Sequence, residues 1–502
     1  MDDFQKSLKE IGEVGFVKEV TGAIAFVTGL PQVRPDELVI FENGEIGQVF
    51  TLKPDAVEVL TFSKTPILVG TKVARSGRQF EVPVGEELLS NVIDPFGNSF
   101  ENHKLFKKPG QMRPIHSAPP GIKSRKSIKR YFETGVSIVD LMVPLGRGQR
   151  ELVIGDRKTG KSNFLLQTMV FAAKQGDICI YAAIGKNKID IKRTEEYFIK
   201  NGVINRVIII ASSSQDQPEI IHLTPYSAMT IAEYFRDQGH DVLLVLDDLS
   251  THAKFYREIS LIGRRFPGRD SYPGDMFYMH ARLLERAGNF ATEKGDVSIT
   301  CLPVVETLQG DLSGFIQTNI MSMTDGHIYF DSNLFSQGRR PSVNPFLSVT
   351  RVGHQTQSDS KRSISRELLT FLTLFDKMQN IVHFGSELSE NVKIVLETGG
   401  KILELFDQES DKVIPVNVQS IALSLLWGDD FKSMEISKLT YYKEKISEQY
   451  QSDSNYKQMV DEIVNKSNSF NEMLSKVREN SDRFNVNLPK QEAPVMPNFP
   501  KK

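Results

Sequence analysis

Apolar residues in this chain change their spacing twice. Over residues 14 to about 74 they come in short runs (13–17, 23–27, 37–41, 47–51 and 56–60), parted by turn formers, with Asn43-Gly44 marking a tight turn. Short, evenly spaced strands of this kind predict a small β-barrel. From about 75 to 352, candidate strands, apolar at 178–182, 207–210 and 242–246 and β-prone at 297–300, alternate with helical patterns. Strands apolar on both faces and separated by helices predict a mostly parallel sheet covered by helices. Beyond about 358 the strand signal fades and helical spacing dominates, as in 367–375 and 402–406. The last residues carry Pro489, Pro494, Pro497 and Pro500 and read as a disordered tail. The expected fold class is a multidomain α+β chain. It has an N-terminal β-barrel (1–74), a central α/β domain with a mostly parallel sheet (75–357), a C-terminal helical bundle (358–484) and a tail (485–502).

A chain of 502 residues is too long for one core, in keeping with several domains. The 61 basic and 63 acidic residues leave a net charge of −2, which argues against a nucleic-acid binder. The basic stretch 104–130 is broken by Pro109, Pro114, Pro119 and Pro120 and reads as a solvated connector. Only Cys179 and Cys301 are present, both in apolar runs, so a reducing compartment is expected rather than a disulfide framework. No apolar stretch reaches the roughly 18 residues of a membrane span. The N-terminus also lacks the apolar core of a signal peptide. A soluble, intracellular protein is expected, with any membrane role coming through partners.

The segment Gly155, Asp156, Arg157, Lys158, Thr159, Gly160, Lys161, Ser162 follows an apolar strand and precedes a helical pattern. That is the context of a phosphate-cradling loop. Its glycines let backbone N–H groups approach a phosphate, and the helix N-terminus adds partial positive charge. Lys161 is expected to reach the outer phosphates of ATP or ADP, and the Ser162 hydroxyl to join a Mg2+ shell. Asp247, at the end of the apolar run 242–246, is the second metal candidate. Hydrolysis also needs a group that orients water. The strand ending near Ile184 is followed by Gly185-Lys186, with no acid immediately after Gly185. An ammonium cannot act as that base, although Lys186 adds positive charge near a terminal phosphate. Glu306, after another apolar run, is an alternative. Binding is therefore better supported than turnover.

These residues sit within a longer ordered set: 82–89, 143–151, Asp247-Asp248, Arg264-Arg265, 272–275, 280–286, Glu306 and 324–326. Over residues 13 to 435 the set resembles the alpha subunit of F-type rotary ATPases, including divergent F-like forms of wall-less bacteria, which implies that the central domain 75–357 is a RecA-like P-loop domain. Lys186 stands where beta-type subunits carry a water-positioning glutamate and alpha subunits a glutamine. The segment Ser348 to Gly353 is similar to the alpha segment whose arginine reaches into a neighbouring beta site. The resemblance thus implies Arg351 as an arginine finger in trans, with Arg340, Pro341 and Gln408 on the adenine side. It departs from the family at Lys158 and Ser162, at Ser410 and in an N-terminal arm of only about twelve residues, which leaves a conventional stator open.

The resemblance further implies an ATP-binding, weakly hydrolysing subunit, at the cytoplasmic side of the membrane, that alternates with beta-type catalytic subunits around a gamma-type shaft. The segment 384–390 is expected to move against that shaft. A stator, a membrane sector and the ion moved remain open, and no nucleic acid is expected. Alternatives are a self-sufficient hexameric P-loop ATPase of secretion or RNA-translocase type, an alpha-like subunit of a motility motor, and a ring spacer without nucleotide.

Overall fold

The structure, a computed structural model, describes residues 3–63, 65–100, 106–293, 295–383, 390–427 and 436–484. Positions 384–389 of the segment expected at the shaft, and the proline-bearing tail, lie outside the described residues. The chain forms two compact units, 1–357 with 408–413, and 358–407 with 414–502.

In the first unit, strands β1 (Val14–Thr21), β2 (Ile24–Thr28), β3 (Glu37–Phe41), β4 (Ile46–Leu52), β5 (Val57–Thr61) and β6 (Lys72–Gln79) close a barrel in the order β1-β2-β5-β4-β3-β6. Alternate residues point inward, and Val17, Val27, Val39, Phe41, Val49, Val59 and Val73 fill the interior. Gly44, at φ 84, turns β3 into β4. The sixth strand, KVARSGRQ, carries no apolar run and crosses the boundary expected at residue 74. It is held by charge as well as by pairing. Buried Arg75 donates from Nε and a terminal nitrogen to Glu37, at 2.9 and 3.1 Å, and from its other terminal nitrogen to Glu13 at 2.7 Å. The residues before the barrel form a helix, Asp3–Ile11, whose Phe4 packs on Ile40 and Ala74 of the barrel wall.

Among the described residues the central sheet has nine strands. They are β7 (Val92–Ile93), β8 (Glu151–Gly155), β9 (Ile178–Lys186), β10 (Val207–Ser213), β11 (Val242–Asp247), β12 (Gly288–Thr292), β13 (Gly295–Glu306), β14 (Gly326–Phe330) and β15 (Val349–Thr350). The order is β15-β14-β8-β13-β11-β9-β10-β7, with β12 antiparallel on β13. Every pair from β14 to β7 along that order is parallel. Strands β8, β10 and β11 are buried throughout, which explains their unbroken apolar runs. Parallel pairing brings the C-terminal strand ends to one edge. Gly155 lies opposite Glu306, and Asp247 opposite Ala183.

The second unit is helical: Asp359–His383, Glu390–Phe406, Val416–Trp427, Ile436–Ser452, Ser454–Asn465, Phe470–Glu479 and Ser481–Phe484. Val416–Trp427 is buried along almost its whole length. Buried Lys443 donates to the carbonyls of Leu405 (2.8 Å) and Asp407. It satisfies orphan acceptors at the end of the helix Glu390–Phe406. Among the described residues no helix is long and apolar enough to cross a membrane.

Candidate nucleotide site

The loop after β8 has the geometry its sequence demands. A side chain on Gly155 would come 2.3 Å from the Phe330 carbonyl oxygen, so the strand can end beside β14 only with glycine there. Gly160 is left-handed at φ 93 and starts the helix Lys161–Lys174. Lys158 takes the same region at φ 60 with its side chain exposed. Asp156 faces away from the helix mouth. Its carboxylate accepts from the Thr307 hydroxyl (2.5 Å), the Gly310 N–H (3.0 Å) and the Ser332 hydroxyl (3.2 Å). Burial pushes this acid up, but those hydrogen bonds outweigh it and hold the carboxyl below its usual value. Thr159 donates to the Asp156 carbonyl at 2.7 Å, and Ser342 to the Thr159 carbonyl at 2.7 Å. Asp156 and Thr159 therefore shape the loop.

Lys161 is buried and folds over the loop, donating to the carbonyls of Gly155 (2.8 Å) and Asp156. Burial lowers its pKa. Ser162 is exposed on the first helical turn. A cleft of about 430 Å³ opens here, lined by Arg157, Lys158, Gly160, Lys161, Ser162, Lys186, Asp247, Asp248, Glu306 and Phe335 among others. Asp247 ends β11 as expected, but both its oxygens are engaged. Lys186 Nζ lies 2.7 Å from one, and the Tyr181 hydroxyl donates to the other at 2.5 Å. Asp248 lies 3.8 Å from Lys186 and caps the helix Leu249–Ile262 through the Thr251 N–H. Burial pulls the Lys186 ammonium down, yet Asp247 and Asp248 outweigh it and hold it protonated above the usual lysine range. Glu306 is the last residue of β13 and accepts from Arg157 Nε at 2.7 Å. Each strand-end acid thus faces a side-chain cation.

Arg340, Pro341 and Gln408, the expected adenine-side residues, are not in this lining, although Arg340 abuts it through Phe335. The Arg340 guanidinium stacks 3.6 Å from the Phe335 ring centroid, and its carbonyl accepts from the Gln408 N–H at 2.7 Å. The Gln408 side chain is buried. Its oxygen accepts from the N–H and hydroxyl of Ser137, both at 3.1 Å, and its nitrogen donates to the carbonyls of Gly135 and Lys412, both at 2.7 Å. Gln408 pins the 408–413 segment to the nucleotide domain, although sequence spacing puts it among the C-terminal helices. Phe335 lines the cleft and was not foreseen; it sits in the short helix Ser332–Ser336, which has no periodic signal.

Arg351 follows β15, which pairs antiparallel with the start of β14, Gly326 opposite Thr350. Its N–H donates to the Asp325 carbonyl at 3.1 Å. The Asp325 side chain is taken by Arg150 at 2.9 and 3.2 Å, so it leaves the exposed Arg351 guanidinium alone. A side chain on Gly353 would meet the Pro144 carbonyl oxygen at 1.6 Å, so the turn after Arg351 needs glycine. In the β8–β14 register Glu151 faces Gly326 and Gly155 faces Phe330. Arg351 is thus at the strand starts and the phosphate loop at the strand ends, four residues or about 13 Å along.

Comparison with known proteins agrees with this architecture. Residues 135–350 match the model of the ATP synthase alpha/beta family, nucleotide-binding domain. Residues 357–484 match that of the ATP synthase alpha/beta chain, C terminal domain. The ATP synthase subunits alpha of Staphylococcus aureus strains Newman and COL are each 36% identical to this chain over 450 residues, 89% of either chain. The subunit from strain JH9 matches to the same extent. The chain belongs to the ATP synthase alpha/beta family, as an alpha-type member of the F-type rotary ATPases.

Proposed function

We propose that this chain binds ATP or ADP without appreciable hydrolysis and completes the catalytic site of a beta-type neighbour with Arg351. The observation that carries the reading is the placement of Arg351 at the opposite end of β8 and β14 from the chain's own phosphate loop. A guanidinium there is remote from the chain's own phosphate loop, exposed, and in no side-chain hydrogen bond or ion pair among the described residues. It is available to a phosphate presented by an adjoining subunit. Two features support weak turnover. The strand-end position that would orient water holds the Lys186 ammonium, and the alternative acid, Glu306, is paired with Arg157. The nucleotide itself fits the residues present. The loop's backbone donors, the helix N-terminus and Lys161 converge on the cleft mouth. A Mg2+ ion is matched less well: Ser162 offers a hydroxyl, but Asp247 has both oxygens engaged.

In this reading the chain alternates with beta-type subunits in a hexamer around a gamma-type shaft. It sits peripherally on the cytoplasmic side of the membrane, and its C-terminal helical unit passes on nucleotide-driven changes. The test is a ring reconstituted with its beta-type partners. Arg351→Ala is expected to lower turnover by about a thousandfold while leaving assembly intact. Unchanged turnover would remove the finger, and vigorous ATP cleavage by the isolated chain would remove the division of labour.

A further inference from the structure

The cleft already contains a cation where a nucleotide site of this kind usually recruits one. Lys186 ends β9 and Asp247 ends the neighbouring parallel strand β11, with Ala183 opposite Asp247. Just before Lys186, Gly185 takes a left-handed conformation at φ 60, with Thr251, Phe255 and Ile221 packed around it. The ammonium comes to rest 2.7 Å from Asp247 and 3.8 Å from Asp248. Tyr181, also on β9, occupies the second Asp247 oxygen from within the sheet. Asp247 is almost wholly buried, and each of its oxygens already accepts from a side chain at the cleft wall.

Magnesium next to a phosphate loop is held by one or two carboxylates together with phosphate oxygens. Here Asp247 is paired with Lys186 and Glu306 with Arg157, while Asp248 caps a helix through one oxygen and has the other 3.8 Å from Lys186. The cleft lining also includes Lys158 and Lys161. The expected metal set therefore does not fit this arrangement. A lysine ammonium is a compact charge with three donors on a flexible stem. One donor on Asp247 leaves two for phosphate oxygens.

We propose that Lys186 takes the place of the divalent cation, so that this cleft binds a nucleoside polyphosphate as the metal-free anion, with the ammonium bridging Asp247 and the terminal phosphate. The proposal rests on the nucleotide reading above. It makes Lys186 the residue that sets metal dependence.

Equilibrium dialysis of the purified full-length chain with radiolabelled ATP, in excess magnesium and in excess EDTA, tests it. The wild-type affinity is expected to agree within about threefold between the two buffers. Lys186→Gln should weaken binding by about tenfold or more in EDTA and regain it in magnesium. With manganese as the probe, electron paramagnetic resonance should detect a tightly held ion with the nucleotide in Lys186→Gln and none in the wild type. Lys186→Arg keeps the charge and should remain indifferent to EDTA. ATP held by the wild type only when metal is present would overturn this inference and leave the nucleotide site standing. Full affinity of Lys186→Gln in EDTA would overturn it equally. No retained ATP in either buffer would overturn the nucleotide reading, and this inference with it. Should Lys186→Gln fail to fold, the wild-type comparison still decides the outcome.

Discussion

At the level of single residues, the phosphate loop shows how one motif divides its labour. Lys161 and Ser162 face the cleft, whereas Asp156 anchors the loop to the segment after β13 and to the helix Ser332–Ser336 through three accepted hydrogen bonds. Charge-assisted bonds are individually worth about 1.5–3 kcal/mol, and removing the carboxylate also leaves donors unpaired. Asp156→Ala is therefore expected to cost about 2 kcal/mol in urea unfolding and to weaken ATP retention, although Asp156 is aimed at no phosphate. Retention unchanged at normal stability would mean that the loop holds its shape by itself. The glycines here were legible in sequence because their need is steric and local. The Lys186–Asp247 pair was not, because it joins residues 61 positions apart across two strands.

Among the elements, helix packing buries a set of titratable rings. His222 on Pro218–Asp237 stacks on His252 on Leu249–Ile262, with centroids 4.9 Å apart, and on Tyr256 at 5.2 Å. His252 Nε2 lies 3.2 Å from the His222 carbonyl, which can only accept. That nitrogen carries the hydrogen, and Nδ1 accepts from His280 Nε2 at 3.0 Å on the helix Met276–Leu284. His116 lies against Tyr226 at 4.9 Å. Burial pushes all four rings down, His116 and His252 to about 4. The rings are neutral in the fold and take up protons below about 6.5 when unfolded. Between about 6.5 and 4 the unfolded state binds more protons, so stability falls as pH falls, by up to about 1.4 kcal/mol per ring per pH unit. Urea midpoints across that window should decline, and His252→Gln should flatten the slope. A slope unaltered by that change would assign acid sensitivity to the carboxylates instead. Helices were legible from their spacing, but this cluster was not: single histidines in three separate helices, and His116 in a loop, meet only when those segments pack. The sixth barrel strand was hidden for a related reason, since its partners Glu13 and Glu37 lie far back in the chain.

For the whole molecule, the finger role proposed for Arg351, at the far strand ends from the loop 155–162, predicts a double dissociation in a reconstituted ring. Lys161→Ala in this chain should abolish its own nucleotide retention and change ring turnover by less than about tenfold. Arg351→Ala should do the reverse, with a loss of about a thousandfold. A turnover loss on Lys161→Ala as deep as that on Arg351→Ala would place the chemistry in this chain's own cleft. The order of barrel, nucleotide core and helical unit, the phosphate loop and the resemblance to alpha subunits were all determined by local sequence. Apolar period, steric need for glycine and motif order are properties of neighbouring residues. Tertiary structure alone decided which charges meet. It gave Asp247 to Lys186 and Glu306 to Arg157, drew Gln408 into the nucleotide domain as a buried anchor, and set Arg351 at the far end of the strands from Lys161. Such pairings depend on strand order and parallel register, which bring distant segments to one edge, and no window of sequence carries that information.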